Sequence, residues 1–195
     1  MKLCVFASHD GTTLQAIIDA FEAQTIQGEI VLVISNNSNA KAITRAQNHN
    51  IKTCHLSRAT HPDATSLDCA IVEALEAADT DWVLLAGFMK KLGSQTLARF
   101  GGKILNIHPS LLPKYGGKGF LGKRVHEAVF AAGDTITGAT VHQVDGEYDS
   151  GPVVAQLTVP VNPEDSVEDI EERVKHAEKK LLVTTLAKLS LQQTP

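Results

Sequence analysis

Three polar side chains of different chemistry lie within five positions of one stretch, residues 104–113. Asn106, His108 and Ser110 follow an apolar run, and two prolines interrupt any regular continuation of the backbone. Histidine can exchange a proton near neutral pH, and an asparagine amide can donate to an oxyanion. The stretch predicts the end of a buried strand that carries a site, because ligands of open α/β sheets bind at strand carboxyl ends. The structural alternatives are a partly buried histidine and an asparagine that caps the strand.

A carboxylate that orients His108 would have to come from another segment. Residues 145–152 contain Asp145, Glu147 and Asp149. The glycine and proline that follow Asp149 indicate a fixed turn and favour this residue, although Asp145 and Glu147 are nearly as suitable on sequence alone. An adjacent carboxylate would hold the imidazole and favour its charged form. The residues alone therefore support an α/β enzyme that performs direct acyl transfer with Asn, His and Asp.

Other chemistries lack their signatures. The chain contains no Gly-x-Ser-x-Gly elbow and no Walker loop, and no Gly-x-Gly-x-x-Gly follows strand one. The eight histidines are scattered and the three cysteines form no Cys-x-x-Cys pair. The sequence thus predicts neither a metal site nor dinucleotide binding.

Composition places the chain among ordinary globular domains. It has 195 residues, 43% apolar and 21% charged, with a formal net charge of −4. The acidic balance argues against a nucleic-acid partner. No apolar stretch is long enough to span a membrane, and the short apolar start gives no signal peptide. We expect a single cytoplasmic domain.

Apolar runs alternate with helical patterns along the first half of the chain. Strands are predicted at residues 3–7, 30–34, 51–56, 82–86 and 104–107, with helices at 14–21, 40–48, 63–78 and 97–100 between them. Later elements are a helix at 125–132, strands at 137–144 and 153–161, and a last helix that begins near Ser166 with a capping-box spacing to Asp169. This order predicts a mostly parallel central sheet with helices on both faces, Rossmann-like in its N-terminal half.

Two loops stand out. The first, residues 8–13, leads from strand one into a helix, whose free amides and dipole would favour an anion; the alternative is an ordinary helix start capped by Asp10 or Thr12. The second, residues 116–122, is rich in glycine and is predicted to be mobile or tightly turned.

Longer motifs carry a resemblance to a known family. Residues 105–115 read Leu-Asn-Ile-His-Pro-Ser-Leu-Leu-Pro-Lys-Tyr, and residues 149–152 read Asp-Ser-Gly-Pro. Together with residues 11–18 and 85–89, they make the chain similar over nearly its whole length to the glycinamide ribonucleotide formyltransferase family, folate-dependent enzymes of purine synthesis. The resemblance implies one formyltransferase domain over residues 1–195, with a nucleotide-binding lobe (1–103) and a catalytic, folate-binding lobe (104–195).

The family pattern also implies residue roles. Catalysis falls on Asn106, His108 and Asp149, and the co-substrate would be 10-formyltetrahydrofolate, without a metal. The substrate, glycinamide ribonucleotide, would contact Gly11, Thr12, Thr13, Pro109, Lys175 and Glu178, with its phosphate at the first three. The folate would contact Met89, Lys90, Lys91, Leu92, Asn106 and Val144, with loop 145–149 around the pterin. For Lys175 the alternative is a plain i, i+4 pair with Glu171.

Three departures from the family pattern concern ligand contacts. Thr12-Thr13 stands where Ser-Asn is common, Ala64 stands where an arginine is often found, and the 116–122 loop is longer. Three rivals share the chemistry or the fold: methionyl-tRNA formyltransferase, which needs an RNA-binding domain; formyltetrahydrofolate hydrolase, which normally has an additional N-terminal domain; and a non-catalytic nucleotide-binding module. We expect a monomer or homodimer.

Overall fold

The computed structural model describes residues 1–192, which form seven strands and six helices. The strands are β1 (Lys2–Phe6), β2 (Glu29–Ser35), β3 (Thr53–His55), β4 (Trp82–Leu85), β5 (Ile104–His108), β6 (Ile136–Gln143) and β7 (Val153–Pro160). The helices are α1 (Thr12–Glu22), α2 (Lys41–Asn48), α3 (Ala64–Ala77), α4 (Ser94–Phe100), α5 (Lys123–Ala131) and α6 (Val167–Gln192).

All seven strands belong to one sheet in the order β3-β2-β1-β4-β5-β6-β7. The pairs from β3 to β5 are parallel, whereas β6 and β7 are antiparallel additions at the β5 side. The predicted fold class, a mostly parallel sheet with a Rossmann-like first half, is therefore confirmed. Because one sheet runs through both proposed lobes, the division at residues 103 and 104 stays a prediction.

Alternation along β1 places its side chains in two separate hydrophobic cores. In β1, Leu3 and Val5 pack on the side covered by α1, α2 and α6, whereas Cys4 and Phe6 pack under α3 and α4. Successive strand side chains point to opposite faces, so a strand that is apolar throughout must be covered on both. The parallel strands therefore stay fixed, and their carboxyl ends present the loops that could hold a ligand.

Two helix starts show what local patterns can predict. The capping box before α6 is confirmed: the Asp169 amide donates to Ser166 Oγ at 3.2 Å, and the Ser166 amide donates to Asp169 Oδ2 at 2.9 Å. Helix α4 begins three residues before its predicted start. There the buried Asp68 of α3 accepts the amides of Gln95 and Thr96, so the cap comes from a distant segment. No helix within residues 1–192 combines the length and apolarity that a membrane crossing requires.

Candidate active site

Asn106 and His108 lie at the carboxyl end of β5, two positions apart and hence on the same face of the sheet. β5 is flanked by parallel β4 and antiparallel β6, so its end is enclosed on two sides. His108 is only 4% exposed, whereas Asn106 is half-buried. The strand therefore holds the imidazole rigidly and leaves the amide more accessible.

The structure brings Asp149 to this pair. Its Oδ2 atom lies 3.4 Å from His108 Nδ1, and its Oδ1 atom lies 3.5 Å from Asn106 Nδ2. Asp145 instead accepts the hydroxyl of Ser150, and Glu147 lies at the surface near Lys91. Asp149 has a left-handed backbone (φ +55°), which aspartate tolerates better than most residues.

A close backbone approach fixes the turn that follows Asp149. A Cβ atom on Gly151 would lie 1.9 Å from the carbonyl oxygen of Gln143, at the end of β6. Only glycine allows this approach. The Asp149–Gly151 segment is therefore pressed against β6, which keeps the carboxylate at the end of β5.

Both ring nitrogens of His108 face oxygen acceptors. Nε2 donates to the carbonyl of Tyr115 at 2.7 Å, and Nδ1 faces Asp149 at the longer distance of 3.4 Å. This arrangement suits a doubly protonated ring, because an imidazolium donates from both nitrogens. Nδ1 makes the longer of the two contacts and is therefore the nitrogen that a reacting group can engage.

His142 is a further member of the cluster, which the sequence reasoning missed. It lies opposite Asn106 across the β5–β6 ladder and is 2% exposed. Its Nδ1 atom lies 2.9 Å from the carbonyl oxygen of Gln143, and its Nε2 atom lies 3.1 Å from Asn106 Nδ2 and 3.5 Å from Asp149 Oδ1. His142 thereby fixes the orientation of the Asn106 amide. The available signal was the one titratable side chain in the strand predicted at 137–144.

The carboxyl of Asp149 is held ionised. Burial by itself would raise its pKa, but contacts with His108 and His142 and the hydrogen bond from the Gly117 amide hold that pKa well below its usual range. The Gly117 amide donates at 3.0 Å. A permanent negative charge next to the imidazole is what an acyl-transfer site needs to hold a proton on the ring.

The start of α1 forms the opposite end of the site. Gly11, with φ +67°, occupies the cap position, and no side chain caps the helix. Asp10 pairs with Lys41 at 2.9 Å instead. The alternative of a helix start capped by Asp10 or Thr12 is therefore wrong, because the left-handed turn at Gly11 directs both side chains elsewhere. The first amides of the helix remain suited to an anion.

Pro109, Lys175 and Glu178 form part of the wall of the cavity that these groups share. Lys175 pairs with Glu171 at 2.6 Å, as the structural alternative predicted, and also faces the cavity. Glu178 is half-buried, and burial raises its pKa to about 7, although the nearby positive groups oppose that shift. The wall thus combines one exposed cation with a carboxyl that is easily protonated.

Residues that the resemblance assigns to folate line the same cavity. They are Met89, Lys90, Lys91, Leu92 and Val144. The Met89 amide donates to the buried Ser8 hydroxyl at 3.0 Å, which ties this segment to the loop before α1. Leu92 is buried, whereas Met89 is 41% exposed. The result is an apolar slot with a cationic rim, as a flat aromatic ligand with an anionic tail would require.

The glycine-rich loop closes one side of the cavity. Gly117 and Gly119 have φ of +90° and +102°, so the predicted tight turns are present. The ring of Phe120 packs edge-on against Tyr115, with centroids 5.8 Å apart. Because the Gly117 amide also binds Asp149, the loop is joined to the cluster of Asn106, His108 and Asp149.

A single cavity of about 340 Å³ connects all these groups. It is lined by Thr12 and Thr13 at one end, by Asn106, His108 and Asp149 at the other, and by the apolar slot beside them. Gly11 lies at the cap of α1, next to this lining. Across residues 1–192, no cluster of three His, Cys, Asp or Glu side chains has the geometry of a metal site. The arrangement can bind an anion, admit a flat apolar group and stabilise an oxyanion between them.

Comparison with known proteins gives one consistent family. The formyl transferase family matches residues 1–186. The chain is 41% identical over 177 residues to phosphoribosylglycinamide formyltransferase from Haemophilus influenzae, covering 91% of this chain and 81% of the relative. It is 36% identical over 188 residues to the chloroplastic enzyme of that name from Vigna unguiculata, covering 96% of this chain but 60% of the relative's length.

A solved structure agrees with these relatives. Glycinamide ribonucleotide transformylase 1 from Geobacillus kaustophilus superposes with a TM-score of 0.89 at 38% identity. The superposition covers 96% of this chain and 97% of the other.

Proposed function

This chain belongs to the formyl transferase family, and we propose that it transfers the formyl group of 10-formyltetrahydrofolate to the amine of glycinamide ribonucleotide. The observation that carries the proposal is the shared cavity: an uncapped helix start, an apolar slot and an Asn-His-Asp cluster all line it. A substrate with a phosphate at one end and an amine at the other can reach both polar ends. This reaction is a step of purine biosynthesis.

The acceptor would bind with its phosphate at Gly11, Thr12 and Thr13. Helix α1 has no acidic residue in its first turn and no side-chain cap, so its amides and dipole favour a dianion. The threonine hydroxyls can replace the Ser-Asn pair, because most of the donors are backbone amides. Pro109, Lys175 and Glu178 would then border the sugar.

The folate would occupy the slot between residues 89–92 and Val144. Its formyl group would lie at Asn106, because this amide is half-buried and borders both subsites. Lys90 and Lys91 are exposed at the rim, where they can approach the carboxylates of the folate tail.

The amine nitrogen would attack the formyl carbon directly and form a tetrahedral intermediate. The carbonyl electron pair moves onto oxygen, where Asn106 and His108 donate hydrogen bonds. The intermediate collapses by expelling N10 of the folate, and the proton lost by the amine ends on N10, through His108 or water. Asp149 positions His108 before the attack and balances the charge of its protonated ring. No covalent enzyme intermediate is required, because the amine attacks the formyl carbon directly.

Both donors are engaged before substrate binds. The Asn106 amide contacts His142 and Asp149, and His108 Nδ1 faces Asp149. An oxyanion would therefore replace the two longest contacts, those to Asp149 at 3.4 and 3.5 Å. Contacts of this length are weak, so the exchange costs little.

The test is an assay of formyl transfer from 10-formyltetrahydrofolate, monitored by the change in folate absorbance, with and without glycinamide ribonucleotide. Ribotide-dependent turnover supports the proposal. Turnover without the ribotide would indicate a formyltetrahydrofolate hydrolase, and binding without turnover would indicate a non-catalytic module. Because both co-substrates are small soluble molecules, we expect the reaction in the cytoplasm.

A further inference from the structure

His126 is a buried histidine in the wall of the same cavity, and the proposed mechanism gives it no role. It lies on α5, is 2% exposed and lines the cavity that also contains His108 and Lys175. Its Nδ1 atom is buried and finds no hydrogen-bond partner within residues 1–192. Buried polar atoms nearly always have a partner. An orphaned ring nitrogen in a cavity wall therefore points to a group that arrives from the cavity.

The His126 ring is held in its neutral form. Burial lowers its pKa, and Lys175 and His108 lower it further, against the opposite effect of Glu171. A neutral imidazole has one N–H donor and one acceptor nitrogen. A hydroxyl, which both donates and accepts, can pair with the free Nδ1 atom in either tautomer of the neutral ring. A phosphate or carboxylate, which mainly accepts, can pair with it only when Nδ1 carries the proton.

The position of His126 suggests which hydroxyl this is. Thr12 and Thr13, at one end, and His108, at the other, line the same cavity as His126 and Lys175. His126 lies close enough to Lys175 for the lysine charge to lower the pKa of its ring, and Lys175 borders the sugar in the proposed binding mode. A ribotide with its phosphate at the first end and its amine at the second has its sugar in the middle. We propose that the ring of His126 binds a ribose hydroxyl of the acceptor substrate. This inference depends on the proposed function.

The test is a cycle in which both the ring and the hydroxyl are removed. The wild-type protein and His126→Phe are each assayed with glycinamide ribonucleotide and with its 2′-deoxy and 3′-deoxy analogues. His126→Phe should lower kcat/KM for the ribotide about tenfold, as expected for one neutral hydrogen bond. With the wild type, one deoxy analogue should show a kcat/KM about tenfold below that of the ribotide. With the variant, the same analogue and the ribotide should have equal kcat/KM. The KM for 10-formyltetrahydrofolate should not change.

Amide variants separate hydrogen bonding from packing. Gln and Asn present an amide near the positions of the two ring nitrogens, so either His126→Gln or His126→Asn should recover much of the loss. His176→Gln, at an exposed histidine of α6 outside the cavity lining, is the matched control and should behave as wild type. If His126→Phe does not fold, judged by thermal unfolding, the two amide variants complete the same cycle.

The outcomes separate the two claims. Two results would overturn the role of His126 while ribotide-dependent turnover stands. One is that the losses in kcat/KM from removing the ring and from removing either hydroxyl are additive. The other is that His126→Phe raises the KM for 10-formyltetrahydrofolate as much as the KM for the ribotide. If the wild type itself shows no ribotide-dependent turnover, the proposed function fails first.

Discussion

The two polar ends of the cavity are built from different parts of the chain. At the start of α1 the anion would meet backbone amides whose direction is set by the left-handed turn at Gly11. At the end of β5 the reacting atoms would meet side chains that contact one another over 3.1–3.5 Å. The first end depends on backbone conformation and the second on residue identity, so they should respond differently to substitution.

The difference follows from burial. His108, His142 and the side chain of Asp149 are 9% exposed or less, so each polar atom needs a partner of matching chemistry. Thr12 is exposed and Thr13 is half-buried, so water can supply the hydrogen bonds that are lost when either hydroxyl is replaced. Departures from the family pattern at residues 12 and 13 are accordingly tolerable, whereas a departure at Asp149 is not.

The largest loss is expected for Asp149→Asn. The amide keeps the size of the carboxylate but removes the charge that balances His108. Its NH₂ group is a donor, so it repels the N–H of the ring or of Gly117 if it points toward either. Turnover should fall on the order of 10³-fold, measured as kcat with saturating ribotide and folate. Asp145→Asn, in the same loop, should cost far less. Similar losses in both variants would show that the loop matters only as a whole.

Asn106→Ala should come next, with a loss on the order of 10²–10³-fold in kcat for one oxyanion donor. His142→Leu should lower kcat by up to about 10²-fold, because the Asn106 amide would no longer be oriented toward the oxyanion. If His142 works by positioning Asn106, the double variant should be no worse than Asn106→Ala alone. Additive losses would give His142 a separate role, and full activity of Asn106→Ala would remove the oxyanion role from Asn106.

Gly11→Ala tests the backbone end directly. The φ of +67° disfavours any side chain, and a Cβ atom there would lie 2.8 Å from Cα and Cβ of Ala42. The turn should shift, raising KM for the ribotide about tenfold or more with a smaller effect on the folate KM. The double variant Thr12→Ala/Thr13→Ala should raise the same KM only a few-fold. A larger effect of the threonine variant would mean that hydroxyls, not amides, hold the phosphate.

The sequence could predict the sheet because each strand is a local apolar run, and alternation alone put Asn106 and His108 on the same face. It could not predict contacts that depend on register. His142 meets Asn106 only because β6 pairs antiparallel with β5 in one register. The partners at Tyr115 and Gly117 are backbone groups without a side-chain signature. The Asp68 cap of α4 likewise requires two helices to pack first.

The smallest expected effect concerns Glu178. It is an effect on the stability of the folded protein, not on turnover, and it depends on pH. A glutamate carboxyl in water has an ordinary pKa of 4.5, and burial in the cavity wall raises the pKa of Glu178 in the folded protein to about 7. The folded protein therefore binds this proton more tightly, so the contribution to stability is fully present below pH 4.5 and is lost as pH rises through about 7.

Glu178→Gln cannot ionise and should therefore unfold about 2–4 °C above wild type at pH 8, with little difference at about pH 4.5. Thermal unfolding at the two pH values checks this, and Glu172→Gln, at an exposed position of α6, is the control. Equal shifts at both pH values would trace the effect to packing. A gain in stability at pH 8 alone, combined with a higher KM for the ribotide, would mean that Glu178 lowers the stability of the protein but contributes to ligand binding. The cavity wall would then resemble the Asn-His-Asp cluster, where buried polar side chains are kept for the ligand.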